Sequence, residues 1–167
     1  HHAGNEPEPI FSFGQGCEGE PLTEAALIAD AVARFRAEGG RGTINVNSNA
    51  SLPGAVEQLA VAGISSLRVS CNSVRAESYA RYYRPSGYDF SDVRRSIDAA
   101  KKAGVFVSLN LLFFPGFTDT EEETAALVAL VGEAGNYRLA FSVLGAVAVA
   151  GVALPFACRR IGLEATA

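Results

Sequence analysis

The sequence of 167 residues has no methionine, no tryptophan and only two histidines, His1 and His2, which are its first two residues. Sites that use histidine to move a proton or orient a nucleophile are therefore not expected within the chain. Cysteine is also scarce, because Cys17, Cys71 and Cys158 are odd in number and widely separated. Their spacing argues against a disulfide framework and matches no zinc or iron-sulfur motif.

Charge is limited as well. Charged residues make up 19% of the chain, the formal net charge is -4, and arginines are interspersed with acids. This pattern predicts no nucleic-acid partner.

The opening "HHAGNEPEPI" lacks the basic start and apolar stretch of a signal peptide, so we expect a cytoplasmic protein. We also expect the chain to be a fragment whose N-terminus lies upstream of His1. A hydrophobic content of 49% predicts a folded domain with a real core.

The chain is organised as apolar runs that alternate with amphipathic stretches. The runs predict strands at residues 9–14, 43–47, 66–70 and 105–114. The stretches predict helices at residues 23–38, 51–62, 75–83, 91–103 and from 118 onward, with Thr23 and Thr118 at two helix starts. Strands that look apolar on both faces indicate a parallel sheet covered on both sides, in a barrel-type or an open α/β fold. Both folds bind ligands at the carboxyl ends of their strands.

The last part of the chain has a different character. Residues 139–158 contain no charged side chain and lie between Arg138 and Arg159. One interpretation is a transmembrane helix, since 20 residues of helix span roughly 30 Å of hydrocarbon; the other is a buried strand followed by an alanine-rich core helix. The segment weakly resembles a transmembrane helix of a major-facilitator transporter. We therefore divide the chain into a core at residues 9–133 and a hydrophobic tail at residues 134–167.

Polar side chains follow the ends of the predicted strands. They are the acids Glu18 and Glu20 after the first strand, and Ser48, Asn49, Ser70, Asn72 and Asn110 at the later strands. A rim with a carboxylate, hydroxyls and amides suits a ligand with an ammonium group and a ribose-like diol. Each residue also has a structural interpretation, as a solvated turn acid, a turn-forming asparagine or a small strand-end serine. The glycines of "GQGCEGE" form no phosphate loop, because its lysine and hydroxyl are missing.

The order of these motifs resembles the radical S-adenosylmethionine (radical SAM) superfamily over roughly residues 9–133. Gly19, Glu20 and Pro21 follow an apolar strand and resemble the motif by which that family holds the ammonium group of S-adenosylmethionine (SAM). The resemblance implies that Glu20 is the acid in contact with the ammonium group.

Later segments extend the resemblance. In "NVNSNAS", Ser48 and Asn49 match the threonine and asparagine of the family's next strand end, whereas Ala50 replaces its glycine. "LRVSCNS" is similar to the following strand and implies that Ser70 and Asn72 lie near the ribose or the methionine carboxylate. By position, the resemblance also implies that Arg84 contacts the substrate or that carboxylate and that Asn110 faces the site.

The resemblance implies a partial TIM-like (β/α) barrel and a [4Fe-4S] cluster held by three cysteines, with one iron left to chelate SAM. Such an enzyme generates a 5'-deoxyadenosyl radical that abstracts hydrogen from a substrate, with a reductant protein as partner. The cysteine triad is expected upstream of His1, so this chain holds no predicted metal ligand and is expected to be inactive alone. The alternatives are a membrane-anchored remnant or binding module, and a different (β/α)-barrel metabolic enzyme.

Overall fold

The computed structural model describes residues 8–16, 18–133 and 138–141. Its strands are β1 (Ile10–Phe13), β2 (Thr43–Ser48), β3 (Ser66–Ser70), β4 (Phe106–Leu111) and β5 (Arg138–Phe141). Its helices are a short 3-10 helix (Pro21–Glu24) and the α-helices α1 (Ala25–Ala37), α2 (Pro53–Ala62), α3 (Ala76–Tyr83), α4 (Phe90–Lys102) and α5 (Glu121–Glu133).

The five strands form one parallel sheet in the order β1-β2-β3-β4-β5. Because crossovers between parallel strands are right-handed, a sheet that grows in one direction receives its connecting helices on the same face. An open doubly wound sheet would instead reverse its strand order at a switch point. The described strands therefore confirm the α/β class and, of the two predicted folds, the barrel type.

The core lies between one face of the sheet and the helices. In β2 the side chains alternate, with Ile44 and Val46 buried and their neighbours half-buried or exposed. The same face continues through the later strands and meets the buried side chains of the helices, namely Leu67, Val69, Val107 and Leu109 from the sheet and Val32, Val56, Leu59, Val93 and Ile97 from the helices. Hydrophobic burial on this face stabilises the layer of helices against the sheet.

The opposite face of the sheet is mostly polar, with Ile10 and Phe106 as its exposed apolar residues at the strand starts, which corrects the prediction of strands that are apolar on both faces. Ser12, Asn45 and Ser66 are partners in register on three neighbouring strands. Asn45 donates from Nδ2 to Ser12 Oγ at 2.9 Å, and Ser66 Oγ donates to Asn45 Oδ1 at 2.9 Å. Sequence periodicity identifies the apolar residues of these strands. It does not predict the polar face, because the polar side chains bond to partners on neighbouring strands that are distant in the sequence.

The first helix begins differently from the prediction. Pro21–Glu24 form a 3-10 helix before α1, and the side chain of Glu20 caps it by accepting from Leu22 N at 3.1 Å. Thr23 is therefore not an N-cap; its Oγ1 donates to Glu20 O at 2.7 Å. A proline at the first helical position, with its fixed φ, starts this turn directly after Glu20.

The loop after β4 also differs. The strand ends at Leu111, and α5 begins at Glu121 instead of near Thr118. Thr118 is 3% exposed, and its Oγ1 donates to Leu112 O at 3.0 Å and accepts from Phe114 N at 2.7 Å. The hydroxyl thus closes a turn within the loop, where a helix start was predicted.

Four residues of the predicted tail form a strand of the sheet. Arg138–Phe141 form β5, which pairs in parallel with β4, with Leu139 opposite Leu109. A helix over residues 139–158 is therefore wrong for residues 139–141, and residues 142–158 lie outside the described residues. Within the described ranges, no helix is both long and apolar enough to cross a bilayer. The predicted boundary near residue 134 also falls outside the described residues and stays a prediction.

Candidate functional site

Glu20 joins the ends of the two neighbouring strands β1 and β2. Its Oε1 accepts from Ser48 Oγ at 2.6 Å as well as from Leu22 N, and its Oε2 accepts from Asn49 N at 2.8 Å. Ser48 is buried, whereas Glu20 and Asn49 are half-buried. Charge-assisted hydrogen bonds of this kind are short and strong. The structure thus brings three predicted site residues, Glu20, Ser48 and Asn49, into direct contact.

Two glycines of the preceding loop differ in what surrounds them. A Cβ at Gly14, where φ is +75°, would lie 2.3 Å from Asn47 O, so only glycine fits between the loop and β2. Gly19 also has a positive φ, +85°, but a Cβ there would meet nothing within 4 Å. Gly14 therefore serves close packing, whereas the backbone at Gly19 borders open space beside Glu20.

The turn after β2 has an alanine, Ala50, at a position where the resemblance implies a glycine. Ala50 has φ +54°, which is the left-handed region, and is fully buried. Its N–H donates to Ser48 Oγ at 2.8 Å, and its carbonyl accepts from Ser96 Oγ at 2.7 Å. The turn therefore keeps the left-handed backbone that glycine adopts most easily, despite the alanine.

At the next strand ends, the predicted residues have two different environments. Ser70 and Asn110 are partners in register on β3 and β4, both are half-buried, and neither side chain makes a hydrogen bond to another described residue. Asn72 is occupied by the protein instead. Its N–H donates to Tyr83 Oη at 3.1 Å, and its Oδ1 accepts from Leu112 N at 3.0 Å.

Arg84 lies away from this network. It follows α3 as an exposed residue with φ +47°, and its N–H caps the helix by donating to Ala80 O at 3.0 Å. No contact in the described residues brings its guanidinium to Glu20 or Asn110. Pro21 is buried at the start of the 3-10 helix, directly after Glu20. The ligand roles of both residues stay predictions.

Sequence reasoning missed a buried pair beneath the loop after β3. Glu123 is 4% exposed, and its Oε1 and Oε2 accept from Ser73 Oγ at 3.0 and 2.9 Å. The acids at the start of α5 were interpreted only as favourable charges at a helix N-terminus. Because Ser73 lies 50 residues away, no local pattern connects the two side chains.

The described residues contain no cluster of metal ligands. Cys71 is fully buried, and its Sγ donates to Ser73 O at 2.9 Å. Burial raises the pKa of the Cys71 thiol to about 12. The thiol is therefore neutral at ordinary pH, whereas a metal ligand must be a thiolate. No group of three or more histidine, cysteine or acidic side chains capable of holding a metal occurs in the described ranges, and Cys17 and Cys158 lie outside them.

The chain is similar in sequence to a known protein family and to individual proteins. A family model described as the Radical SAM superfamily matches residues 11–128. A GTP 3',8-cyclase of Pseudomonas putida (strain W619) is 34% identical over 105 residues, and one of Rhizobium etli (strain CIAT 652) is 32% identical over 106 residues. Each alignment covers 62% of this chain and 30% of the relative, so the chain spans less than a third of their length.

Solved structures show the same fold at lower identity. HydG, a maturase of the [FeFe]-hydrogenase, superposes with a TM-score of 0.57 at 17% identity. The match covers 80% of this chain and 32% of the HydG chain. The radical SAM methyltransferase TsrM from Kitasatospora setae was solved with cobalamin and a [4Fe-4S] cluster bound, and it superposes with a TM-score of 0.56 at 22% identity. The match covers 74% of this chain and 24% of the TsrM chain. Both structures support a partial (β/α) barrel.

Proposed function

The chain belongs to the radical SAM superfamily, and from this premise we propose that its strand ends bind S-adenosylmethionine in an enzyme that abstracts hydrogen from a substrate. The family implies SAM and a [4Fe-4S] cluster as cofactors, which when bound supply radical chemistry that the protein itself lacks. The contribution of this chain is to hold and orient SAM. A reductant protein is part of the proposal, as the source of the electron.

The observation that carries the proposal is the position of the Glu20 carboxylate. It accepts three hydrogen bonds from the protein, which fix it at the rim where β1 and β2 end. An ionised carboxylate offers about four acceptor positions, so about one remains for a ligand. A cationic donor such as the ammonium group of SAM suits that position, because a charge-assisted bond is roughly twice as strong as a neutral one.

The remaining predicted contacts lie around this carboxylate. We assign the backbone of Gly19 and Pro21 to the same amino group. Ser48 and Asn49 hold Glu20 in place, and the side chains of later strand ends complete the site. Ser70 and Asn110 present a hydroxyl and a carboxamide that no described residue engages, and such groups pair with a ribose diol or a carboxylate. Asn72 and Arg84 are assigned to the ribose or methionine carboxylate by position.

The described residues fit SAM better than they fit the cluster. They include only one cysteine, Cys71, and its buried neutral thiol is unsuited to binding iron. The proposal therefore assigns no cluster ligand among residues 8–16, 18–133 and 138–141, and it derives no catalytic step through the cluster.

GTP is the first substrate to assay, because two curated relatives are named GTP 3',8-cyclases. The alternative functions are a different (β/α)-barrel enzyme and a binding module without catalysis. If the chain is a different barrel enzyme, we expect no cationic ligand at the Glu20 carboxylate. A binding module that lost its chemistry would still bind SAM but would not turn it over.

Titration of the chain with SAM tests the proposal, with isothermal calorimetry as the readout. We expect Glu20→Gln to weaken binding by at least about tenfold, because a hydrogen bond to a charged group contributes about 1.5–3 kcal/mol. Glu18→Gln is the matched control, since Glu18 is an exposed acid of the same loop that accepts only from Gln15 N at 2.9 Å. Circular dichroism must show that both variants are folded. Equal affinities for the two variants would refute the assignment.

A further inference from the structure

The polar face of the sheet contains two groups of side chains that differ in their partners. Toward β1 and β2, the groups bond to one another: Asn45 bonds to Ser12 and Ser66, and Asn47 donates from Nδ2 to Phe13 O at 3.2 Å. Asn45 Nδ2 also donates to Asn47 Oδ1 at 3.1 Å. This part of the face is therefore satisfied internally and has little capacity left for a ligand.

On β3 and β4 the polar side chains have no such partners. Arg68 is paired in register with Ser108, and Ser70 with Asn110, so the four form two adjacent rows on one face. Within residues 8–16 and 18–130, no residue makes a side-chain hydrogen bond or ion pair with any of these four side chains. Arg68 is exposed although it lies on the central strand, while Ser108 beside it is only 7% exposed.

The charge of this patch is positive, and no acid on the described strands opposes it. The described strands contain no aspartate or glutamate, and Arg68 lies on the central strand of their polar face. Arg138 of β5 is in register with Ser108 and therefore belongs to the same row. A guanidinium presents five donors in a planar fork that matches a carboxylate or a phosphate, and a serine hydroxyl adds another donor. The guanidinium would repel a cationic ligand, whereas an anionic group would accept charge-assisted hydrogen bonds, which are roughly twice as strong as those of a neutral acceptor.

We propose that Arg68 and Ser108 form a subsite for an anionic group of the substrate, a carboxylate or a phosphate. The inference rests on the proposed function, in which Ser70 and Asn110 contact the cofactor. Two residues along a parallel strand span about 6.6 Å, so the Arg68 row lies that far from the Ser70 row along the strands. A substrate anchored at Arg68 would thus lie next to the cofactor on the same face.

Binding of simple anions tests the subsite without any catalytic step. The probes are inorganic pyrophosphate and succinate, titrated separately into the chain at low ionic strength and followed by calorimetry. We expect one probe to bind more tightly, which identifies the substrate anion as a phosphate or a carboxylate. Arg68→Gln should weaken that binding by about tenfold or more, and Ser108→Ala by less.

Arg34→Gln is the matched control, because Arg34 is an exposed arginine of α1 whose loss changes the net charge equally. It should leave anion affinity nearly unchanged. The subsite is refuted if neither probe binds, or if Arg68→Gln and Arg34→Gln weaken binding to the same extent.

SAM affinity, measured on the same variants, separates this inference from the proposed function. We expect Arg68→Gln to leave SAM affinity within about twofold of the parent, while Glu20→Gln weakens it. If Arg68→Gln weakens SAM binding as much as Glu20→Gln does, Arg68 binds the carboxylate of the cofactor and the substrate subsite is refuted. If Glu20→Gln leaves SAM binding intact while Arg68→Gln abolishes anion binding, the cofactor assignment fails and the anion site remains.

Discussion

Replacing Glu20 with alanine should measurably destabilise the fold, apart from any effect on a ligand. The substitution removes the acceptors of three hydrogen bonds: the bond from Ser48 Oγ at 2.6 Å, and those from the backbone N–H groups of Asn49 and Leu22 at 2.8 and 3.1 Å. Two of these bonds attach the loop after β1 to the end of β2. The third caps the 3-10 helix that begins at Pro21.

The expected loss follows from the strength and exposure of these bonds. A hydrogen bond to a charged group contributes about 1.5–3 kcal/mol, and a buried donor left unpaired costs about 1–3 kcal/mol. Glu20 is half-buried, so water replaces part of what is lost. We therefore expect Glu20→Ala to lower the free energy of unfolding by about 3 kcal/mol, and Glu18→Ala by less than about 1 kcal/mol because its carboxylate is exposed.

Equilibrium unfolding in urea, followed by far-ultraviolet circular dichroism, measures this difference. For an m-value of about 2 kcal/mol per molar, a loss of 3 kcal/mol lowers the midpoint by about 1.5 M. The m-values of the parent and both variants should agree, so that the midpoints report stability alone. Equal shifts for Glu20→Ala and Glu18→Ala would show that the network does not join the two strand ends.

Further predictions concern packing, burial and ionisation. Gly14→Ala should lower the unfolding free energy by about 3 kcal/mol or more, whereas Gly19→Ala, with open space at its Cβ, should cost only the roughly 1–2 kcal/mol of a left-handed alanine. In urea unfolding, Glu123→Gln should cost about 1–3 kcal/mol, and Glu122→Gln less, because the carboxylate of Glu122 is exposed. Burial raises the pKa of Cys71 from 9.0 to about 12. The folded state therefore binds more protons than the unfolded state in that window, and stability should fall as the pH rises from 9 toward 12, less steeply in Cys71→Ala.

The order of strands and helices could be predicted because each depends on local periodicity. The runs "TINVN" and "SLRVS" predict β2 and β3 to within one residue. Boundaries that depend on a single side chain could not be predicted in the same way. Thr23 and Thr118 both look like helix starts, yet one donates to the carbonyl of Glu20 and the other closes a turn.

The candidate site was predictable in outline for a different reason. Parallel strands bring their carboxyl ends to one rim, so residues that follow the strands must gather there. Which groups bond to each other depends on contacts between residues far apart in the sequence. Glu20 and Ser48 are 28 residues apart, and Ser73 and Glu123 are 50 apart. No pattern within a short window distinguishes an acid that is free to bind a ligand from one already held by the protein.

A structure of the chain determined with SAM bound tests the assignment of Glu20 most directly. We expect the amino nitrogen of SAM to lie about 3 Å from an oxygen of the Glu20 carboxylate, while the bonds of Glu20 to Ser48 and Asn49 persist. A structure in which the amino group binds elsewhere on the protein, with Glu20 in contact only with its present partners, would refute the assignment.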